Sequence, residues 1–125
     1  MEVTERIYQK LGLPYQIIAI VSSALNDNAA IKYDLEAWFP GSGAFRELVS
    51  CTNCKDYQAR KTKTRVGRAG SGDAQILHTL NSTAIATERT MCCILENYQQ
   101  ADGSVKVPEV LVPFMGGKTV IEAKE

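Results

Sequence analysis

Apolar and polar residues alternate most clearly in one stretch of this chain, Ile31–Phe39. The polar positions are Lys32, Asp34 and Glu36. A two-residue period predicts a β-strand with one buried face and one polar face that meets water or covers a cleft. Proline and glycine mark a turn at residues 40–43, so residues 44–50 are predicted to return as the antiparallel partner of this strand.

The other patterns predict helices packed against a sheet. Helices are predicted over residues 2–11, 56–65 and 108–115, and strands over residues 15–21 and 75–80. Gly12 and Pro14 end the first helix, and a glycine-rich loop at residues 67–72 precedes the last of these strands. Together these elements predict one α+β domain over residues 1–125, an antiparallel β-sheet flanked by helices.

Residues 81–99 combine a strand end with a helix. Alternation places Asn81 and Thr83 on one face of the strand end. Thr87 is the predicted N-cap of the helix that follows. The apolar stripe of that helix is predicted to consist of Met91, Leu95 and Tyr98, widened by Cys92 and Ile94.

Arg89 lies in the first turn of this predicted helix, where the helix dipole opposes a positive charge. Such an arginine either extends into solvent or faces an anion that the helix end also attracts. The small side chains of Ala84 and Ala86 would let a ligand approach the backbone. The pattern alone leaves both interpretations open, and a solvated arginine on an ordinary core helix is the simpler one.

Composition narrows the function classes only a little. The 125 residues form at most one domain, and fourteen basic residues cancel fourteen acidic ones, so net charge favours neither a nucleic-acid nor a membrane surface. Five basic residues nevertheless cluster, and we interpret them as a solvated face: Arg60, Lys61, Lys63, Arg65 and Arg68. No apolar run reaches membrane-spanning length, the N-terminus is too charged for a signal peptide, and four cysteines without a secretory segment predict a reducing, cytoplasmic location.

Glu47 is the first candidate for chemistry, because it lies among apolar residues in a strand that should be largely buried. A buried carboxylate is costly unless it is paired or bound to a cation. Ser50 follows three residues later, and the two oxygens suit a hard ion such as magnesium. Strict alternation would place them on opposite faces, so their cooperation requires a bulge or a strand end between them. From the residues alone, a salt bridge from Glu47 to Arg46 or Arg89 is the simpler interpretation.

Cys51 and Cys54 have the spacing of a zinc knuckle. A structural zinc site needs four ligands, and the remaining candidates are Cys92, Cys93 and His78. The two adjacent cysteines on one helix cannot easily face the same metal. Buried packing cysteines are therefore the simpler interpretation.

Several segments, taken in order, resemble the carboxy-terminal part of the seryl-tRNA synthetase family of class II aminoacyl-tRNA synthetases. They are residues 13–15, 34–40, 45–54, 56–60, 80–99 and 107–117. The run Ala84-Ile85-Ala86-Thr87-Glu88-Arg89, followed by an apolar helix, is similar to the third signature motif of the class. The resemblance covers nearly all of the chain.

The resemblance implies specific roles for residues of this sequence. The segment Glu47, Leu48, Val49 and Ser50 matches the ATP-binding strand, with Glu47 and Ser50 holding magnesium together with ATP. Arg89 matches an arginine that contacts the γ-phosphate, so Arg89 and Glu47 are the implied catalytic residues. Thr83 and Asn81 match positions around the serine substrate. The implied reactants are serine, ATP and tRNA(Ser), in an enzyme that is a homodimer.

The family's N-terminal helical arm, its first motif and its second motif have no counterpart in these residues. The resemblance therefore implies about half of a catalytic domain, which by itself should not activate serine. Lys61 stands where a second arginine is common in the family. A non-catalytic synthetase-like paralogue that binds a nucleotide or a protein is the alternative interpretation.

Overall fold

The computed structural model describes residues 1–68, 70 and 72–123, and it confirms the α+β arrangement. The helices are α1 (Glu2–Leu11), α2 (Tyr57–Thr62) and α3 (Thr87–Tyr98), and short 3₁₀ helices span Ser22–Ala24 and Glu109–Met115. The strands are β1 (Tyr15–Ala19), β2 (Ile31–Phe39), β3 (Ala44–Lys55), β4 (Arg65–Val66), β5 (Gln75–Ile76), β6 (Thr79–Ser82), β7 (Val105–Lys106) and β8 (Val120–Ile121).

One four-stranded sheet organises the fold, with strand order β1-β2-β3-β6 and antiparallel pairing throughout. The predicted hairpin of β2 and β3 forms its centre. Two-stranded ribbons, β4 with β5 and β7 with β8, lie outside this sheet. None of the described helices is long and apolar enough to cross a membrane.

A bulge interrupts the pairing of β2 with β3. Leu35 is opposite Val49 and Glu36 is opposite Glu47, so Leu48 has no partner of its own on β2. The side chains of Leu48 and Val49 are both buried, although they are consecutive in a strand. This extra residue reverses the alternation and brings residues three apart onto the same face of the sheet.

The hydrophobic core lies between α1, α3 and one face of the sheet. Its buried members are Tyr8, Leu11, Leu13, Leu35, Ala37, Phe39, Leu48, Val49 and Cys93. A buried hydrogen bond of 3.1 Å joins the Tyr8 and Thr90 hydroxyls and connects the two helices. The Tyr98 hydroxyl donates to the Leu11 carbonyl and fixes the end of α3 against the end of α1.

The prediction of which side of α3 is buried is partly wrong. Met91 and Leu95 are 58% and 46% exposed, whereas Thr90 and Cys93 are buried against the sheet. The reason is a backbone carbonyl of β2. Asn97 Nδ2 donates to the Trp38 oxygen at 2.9 Å, and the Cys93 thiol contacts the same oxygen at 3.5 Å. Small polar side chains therefore occupy the face that apolarity alone would assign to larger residues.

Several predicted boundaries also differ from the structure. The helix predicted over residues 56–65 ends at Thr62, and the strand predicted over residues 15–21 ends at Ala19. Strand β3 continues to Lys55, because its second half pairs with β6 as well as with β2. The strand predicted over residues 75–80 is divided into β5 and β6, which belong to different sheets. Ala86 rather than Thr87 is the N-cap of α3, and the Thr87 hydroxyl donates to the Glu88 carboxylate at 3.0 Å.

Candidate functional site

The face of the sheet opposite the core is polar, as the alternation of β2 predicts. Because of the bulge, Glu47 lies opposite Glu36 and Ser50 lies opposite Asp34, so Glu47 and Ser50 share this face. The sequence requires such a bulge for the two residues to cooperate, and the structure provides it. Like charges directly opposite each other on a sheet repel, so Glu36 and Glu47 make this face attractive to a cation.

Asp34 lies at the centre of the polar face and is only 4% exposed. One carboxylate oxygen, Oδ2, is 3.3 Å from the Lys32 ammonium. The other, Oδ1, is buried and accepts no hydrogen bond from any described residue. Burial raises the pKa of Asp34, the hydrogen bond from Lys32 lowers it, and the charges of Glu47 and Glu36 raise it further.

Arg89 reaches across to β3 from the first turn of α3. Its Nη1 atom donates to the Glu47 backbone carbonyl at 3.0 Å. No ion pair within 4.0 Å joins the Glu47 carboxylate to Arg89 or Arg46 in the described part of the chain, so the salt-bridge alternative is not found. Arg46 instead donates from Nε to the Ser42 hydroxyl at 3.1 Å. The carboxylate of Glu47 is therefore available to a ligand.

Arg89 and Glu47 line the same open cleft, which has a volume of about 760 Å³. Arg46, Glu88 and Glu96 also contribute to its walls. Two guanidinium groups suit a polyanionic ligand, because arginine recognises phosphate oxygens in a bidentate manner. The cleft thus contains groups that attract an anion, and it borders the strand whose polar face carries the Glu47 carboxylate.

The cleft wall does not include Ser50, Thr83 or Asn81, which backbone pairing brings together on β3 and β6. The Thr83 N–H donates to the Ser50 carbonyl at 3.0 Å, and Asn81 lies opposite Thr52 in the β3–β6 register. The Asn81 amide donates to the Cys54 sulfur at 3.4 Å. Thr83 and Asn81 are both exposed, so their side chains are accessible to a small ligand.

The predicted ATP-binding segment also contains Leu48 and Val49. Their side chains are buried in the core, so only their backbone can contact a ligand. The Leu48 carbonyl already accepts the Ala86 N–H at 3.2 Å. That bond holds the beginning of α3, and with it Arg89, against β3.

The cysteines do not form a cluster. Cys54 is buried and its sulfur contacts the amides of Asn28 and Asn81, whereas the Cys51 sulfur contacts the N-terminal amine of Met1. Within the described residues, no three His, Cys, Asp or Glu side chains are arranged to hold a metal ion. These contacts are those of packing cysteines.

Sequence reasoning did not select Asp34 as a site residue. The available signal was its position between Lys32 and Glu36 on the polar side of the alternating strand. Which of those three residues would be buried depends on β1 and β3 covering it from both sides. That depends on long-range pairing, which local pattern does not reveal.

A model of the tRNA synthetase class II core domain, which describes the enzymes denoted G, H, P, S and T, matches residues 1–98. The chain belongs to the class II tRNA synthetase core family. Family membership confirms the resemblance stated from the sequence motifs. It also agrees with the antiparallel sheet and the strand-to-helix segment that carries Arg89.

Named relatives of this synthetase chain are serine–tRNA ligases. The enzyme of Methanosphaera stadtmanae is 85% identical over 124 residues, which are 99% of this chain and 29% of that protein. The cytoplasmic enzyme of Arabidopsis thaliana is 63% identical over 126 residues, which are 99% of this chain and 28% of that protein. The chain therefore spans less than a third of the length of these relatives.

Two solved structures share the fold of this synthetase chain. The cytoplasmic serine–tRNA ligase from Naegleria fowleri in complex with AMP matches with a TM-score of 0.90 at 52% identity, over 98% of this chain and 29% of that one. The seryl-tRNA synthetase from Pyrococcus horikoshii complexed with ATP matches with a TM-score of 0.93 at 44% identity, over 99% of this chain and 28% of that one.

Proposed function

We propose that this chain forms part of the catalytic domain of a serine–tRNA ligase, and that its cleft binds the phosphates of ATP. One observation carries the proposal. Arg89 and Glu47, which are 42 residues apart in sequence, line one cleft, and the Arg89 guanidinium donates a hydrogen bond to the Glu47 backbone carbonyl. The names of the relatives, and the nucleotides in the two solved structures, support the same assignment.

Glu47 and Ser50 are suitable ligands for magnesium. The bulge puts the Glu47 carboxylate and the Ser50 hydroxyl on one face, and both are oxygen ligands of the kind that magnesium prefers. Magnesium usually takes one or two protein ligands together with substrate phosphates, so the absence of a three-ligand cluster among the described residues is compatible with it. The bound ion would neutralise phosphate charge.

In the proposed activation step, a carboxylate oxygen of serine forms a bond to the α-phosphorus of ATP, and the bond to pyrophosphate breaks. The Arg89 guanidinium stabilises the negative charge on the γ-phosphate, while Glu47 and Ser50 would hold the magnesium ion that positions the phosphates. Thr83 and Asn81 are proposed to contact serine. A hydroxyl of the terminal ribose of tRNA(Ser) then attacks the seryl carbonyl carbon of the resulting adenylate, the bond from this carbon to the phosphate oxygen breaks, and AMP leaves.

The proposal for the whole enzyme extends beyond the described residues. Serine, ATP and tRNA(Ser) are its proposed reactants, a homodimer is its proposed assembly, and the cytoplasm is its proposed location, which is also the location named for two of the relatives. Residues 1–125 are proposed to be the carboxy-terminal portion of the catalytic domain. Because they span less than a third of their relatives, we expect them to need the remaining segments for activity.

Serine-dependent ATP–pyrophosphate exchange tests the proposal. In an enzyme that carries this sequence together with the remaining segments of the domain, serine should support exchange and alanine or threonine should not. Arg89→Ala should lower the exchange rate by at least about 100-fold, the usual loss when one charge-stabilising donor is removed. No exchange with serine would contradict the proposal and favour a non-catalytic paralogue. Exchange by the 125-residue chain alone would contradict its expected dependence on other segments.

A further inference from the structure

Asp34 carries the one buried side-chain polar atom that lacks a hydrogen-bond partner among the described residues. Its Oδ2 atom is satisfied by Lys32, so the carboxylate is anchored in one orientation with Oδ1 left over. A buried acceptor without a donor costs free energy, and proteins rarely retain one unless a ligand or an ordered water supplies the donor. The position of Oδ1 therefore indicates a missing donor on the polar face.

The groups around Asp34 show which kind of partner would fit. Three carboxylates share this face with only one ammonium, that of Lys32. Glu36 already accepts a hydrogen bond of 2.8 Å from the Gln16 amide, whereas Glu47 has no hydrogen bond or ion pair to its carboxylate within the described residues. The unbalanced charge on this face favours a cationic ligand or a donor polarised by a cation.

The sheet register connects Asp34 to the proposed magnesium ligands. Asp34 is directly opposite Ser50, and the neighbouring residue on the same face, Glu36, is directly opposite Glu47. Among the described residues, Asp34 is not part of a cluster of three His, Cys, Asp or Glu side chains that could hold a metal ion directly. It can instead act through a water molecule that is bound to the ion. Water normally completes the coordination of magnesium, and such a water can donate a hydrogen bond to a buried carboxylate.

We propose that Asp34 is a positioning residue for the magnesium–ATP complex, and that its Oδ1 atom accepts a hydrogen bond from a water ligand of the ion held by Glu47 and Ser50. This inference rests on the proposed function. A hydrogen bond from that water would satisfy the buried Oδ1 atom. Lys32 binds the other carboxylate oxygen, Oδ2, and so leaves Oδ1 for this contact. Asp34 acts through the ion and does not touch the reacting atoms.

Binding of manganese and ATP tests this inference without an activity assay, in an enzyme that carries this sequence together with the remaining segments of the domain. Free Mn²⁺ is measured by electron paramagnetic resonance while this enzyme is titrated in the presence of ATP. Asp34→Asn should raise the dissociation constant by about 10- to 100-fold, the usual effect of removing an outer-shell partner. Asp27→Asn is the matched control, because it makes the same substitution at an exposed turn outside the strands of the sheet. It should change the constant less than about threefold.

The outcomes separate the inference from the proposed function. If the wild-type enzyme does not bind Mn²⁺ with ATP, the proposed nucleotide site fails and the role of Asp34 fails with it. If the wild-type enzyme binds and Asp34→Asn binds equally well, only the role of Asp34 is overturned. Equal losses in Asp34→Asn and Asp27→Asn would show a general charge effect and would also overturn it.

A measurement on the wild-type enzyme covers the case in which Asp34→Asn does not fold. The ¹³C resonance of the Asp34 carboxyl carbon is followed by NMR as Mg²⁺ and ATP are added. A shift that requires both Mg²⁺ and ATP supports the inference. A resonance that does not respond overturns it, provided that other resonances show the ligand to be bound.

Discussion

The Arg89 guanidinium donates a hydrogen bond of 3.0 Å to the backbone carbonyl of Glu47. This contact fixes the beginning of α3 relative to the strand that carries the candidate metal ligands. A second bond, from the Ala86 N–H to the Leu48 carbonyl, acts on the same junction. A positive charge that the helix dipole disfavours is thereby held at the edge of a cleft, where an anion can bind it.

Arg89→Lys should weaken the binding of Mg²⁺–ATP by about tenfold or more. Lysine keeps the charge, but it cannot bond the Glu47 carbonyl and a phosphate at once with the planar geometry of a guanidinium. Isothermal titration calorimetry provides the dissociation constant. Arg6→Lys is the control, because Arg6 is exposed on α1 and does not line the cleft. Equal affinity for wild type and Arg89→Lys would contradict a phosphate contact.

Leu48→Ala should lower the free energy of unfolding by about 2–5 kcal/mol. Leu48 is 1% exposed at the bulge, where its side chain fills the core without a cross-strand partner. Denaturation in urea measures the change. Leu80→Ala is the matched control, because the Leu80 side chain is 76% exposed and should contribute little. Similar losses for both substitutions would show that the bulge is not a packed element.

Tyr8→Phe should lower the free energy of unfolding by about 1–2 kcal/mol, because it leaves the buried Thr90 hydroxyl without its partner. Thr90→Val should also destabilise the chain. The double substitution should lose less than the sum of the two, since each single change removes the same hydrogen bond. Additive losses in urea denaturation would show that the two hydroxyls do not interact.

Cys92 should react with iodoacetamide much faster than Cys93 at about pH 8. Cys92 is exposed, whereas Cys93 is fully buried, and burial, with a smaller effect from Glu96, raises the pKa of its thiol to about 11. Only the thiolate reacts, so a buried thiol with a raised pKa is protected. Peptide mass spectrometry measures the labelling, and both residues should react after denaturation. Rapid labelling of Cys93 in the folded chain would contradict this packing.

The same pKa predicts how stability depends on pH. Between the ordinary thiol pKa of 9.0 and the folded value of about 11, the folded chain retains a proton that the unfolded chain releases. The contribution of Cys93 to stability is therefore complete below about pH 9 and is lost as the pH rises towards 11. Thermal unfolding across this range should show a smaller decline in Cys93→Ala. An identical decline in both proteins would assign the effect to other groups.

The sequence predicted β2 at its observed boundaries, because nine alternating residues are a strong local signal. It also predicted that Glu47 and Ser50 need a bulge to share a face, and the pairing with β2 contains that bulge. It could not locate the bulge at Leu48, since register depends on how two distant strands fit together. The roles of Glu47, Ser50, Asn81, Thr83 and Arg89 in binding remain predictions.

For the buried side of α3, by contrast, the prediction from the sequence was partly wrong. Periodicity favoured Met91 and Leu95 as core residues, yet the helix presents Cys93 and Asn97 to the sheet. The deciding factor is a carbonyl at Trp38 that needs donors, and a backbone acceptor on another element has no signal in the side-chain pattern. Met91 and Leu95 instead lie over the ribbon of β7 and β8, where they line an apolar groove.

The bond from Asn97 to the Trp38 carbonyl also limits how the domain can flex. This hydrogen bond connects α3, which carries Arg89, to β2, which carries Asp34. A second hydrogen bond of 2.8 Å, from the Gly41 N–H to the Glu96 carboxylate, connects α3 to the turn between β2 and β3. Helix and hairpin should consequently behave as one rigid unit in hydrogen exchange. A nucleotide would then meet a preformed surface on this side, and any closing movement would have to come from elements packed against it from outside.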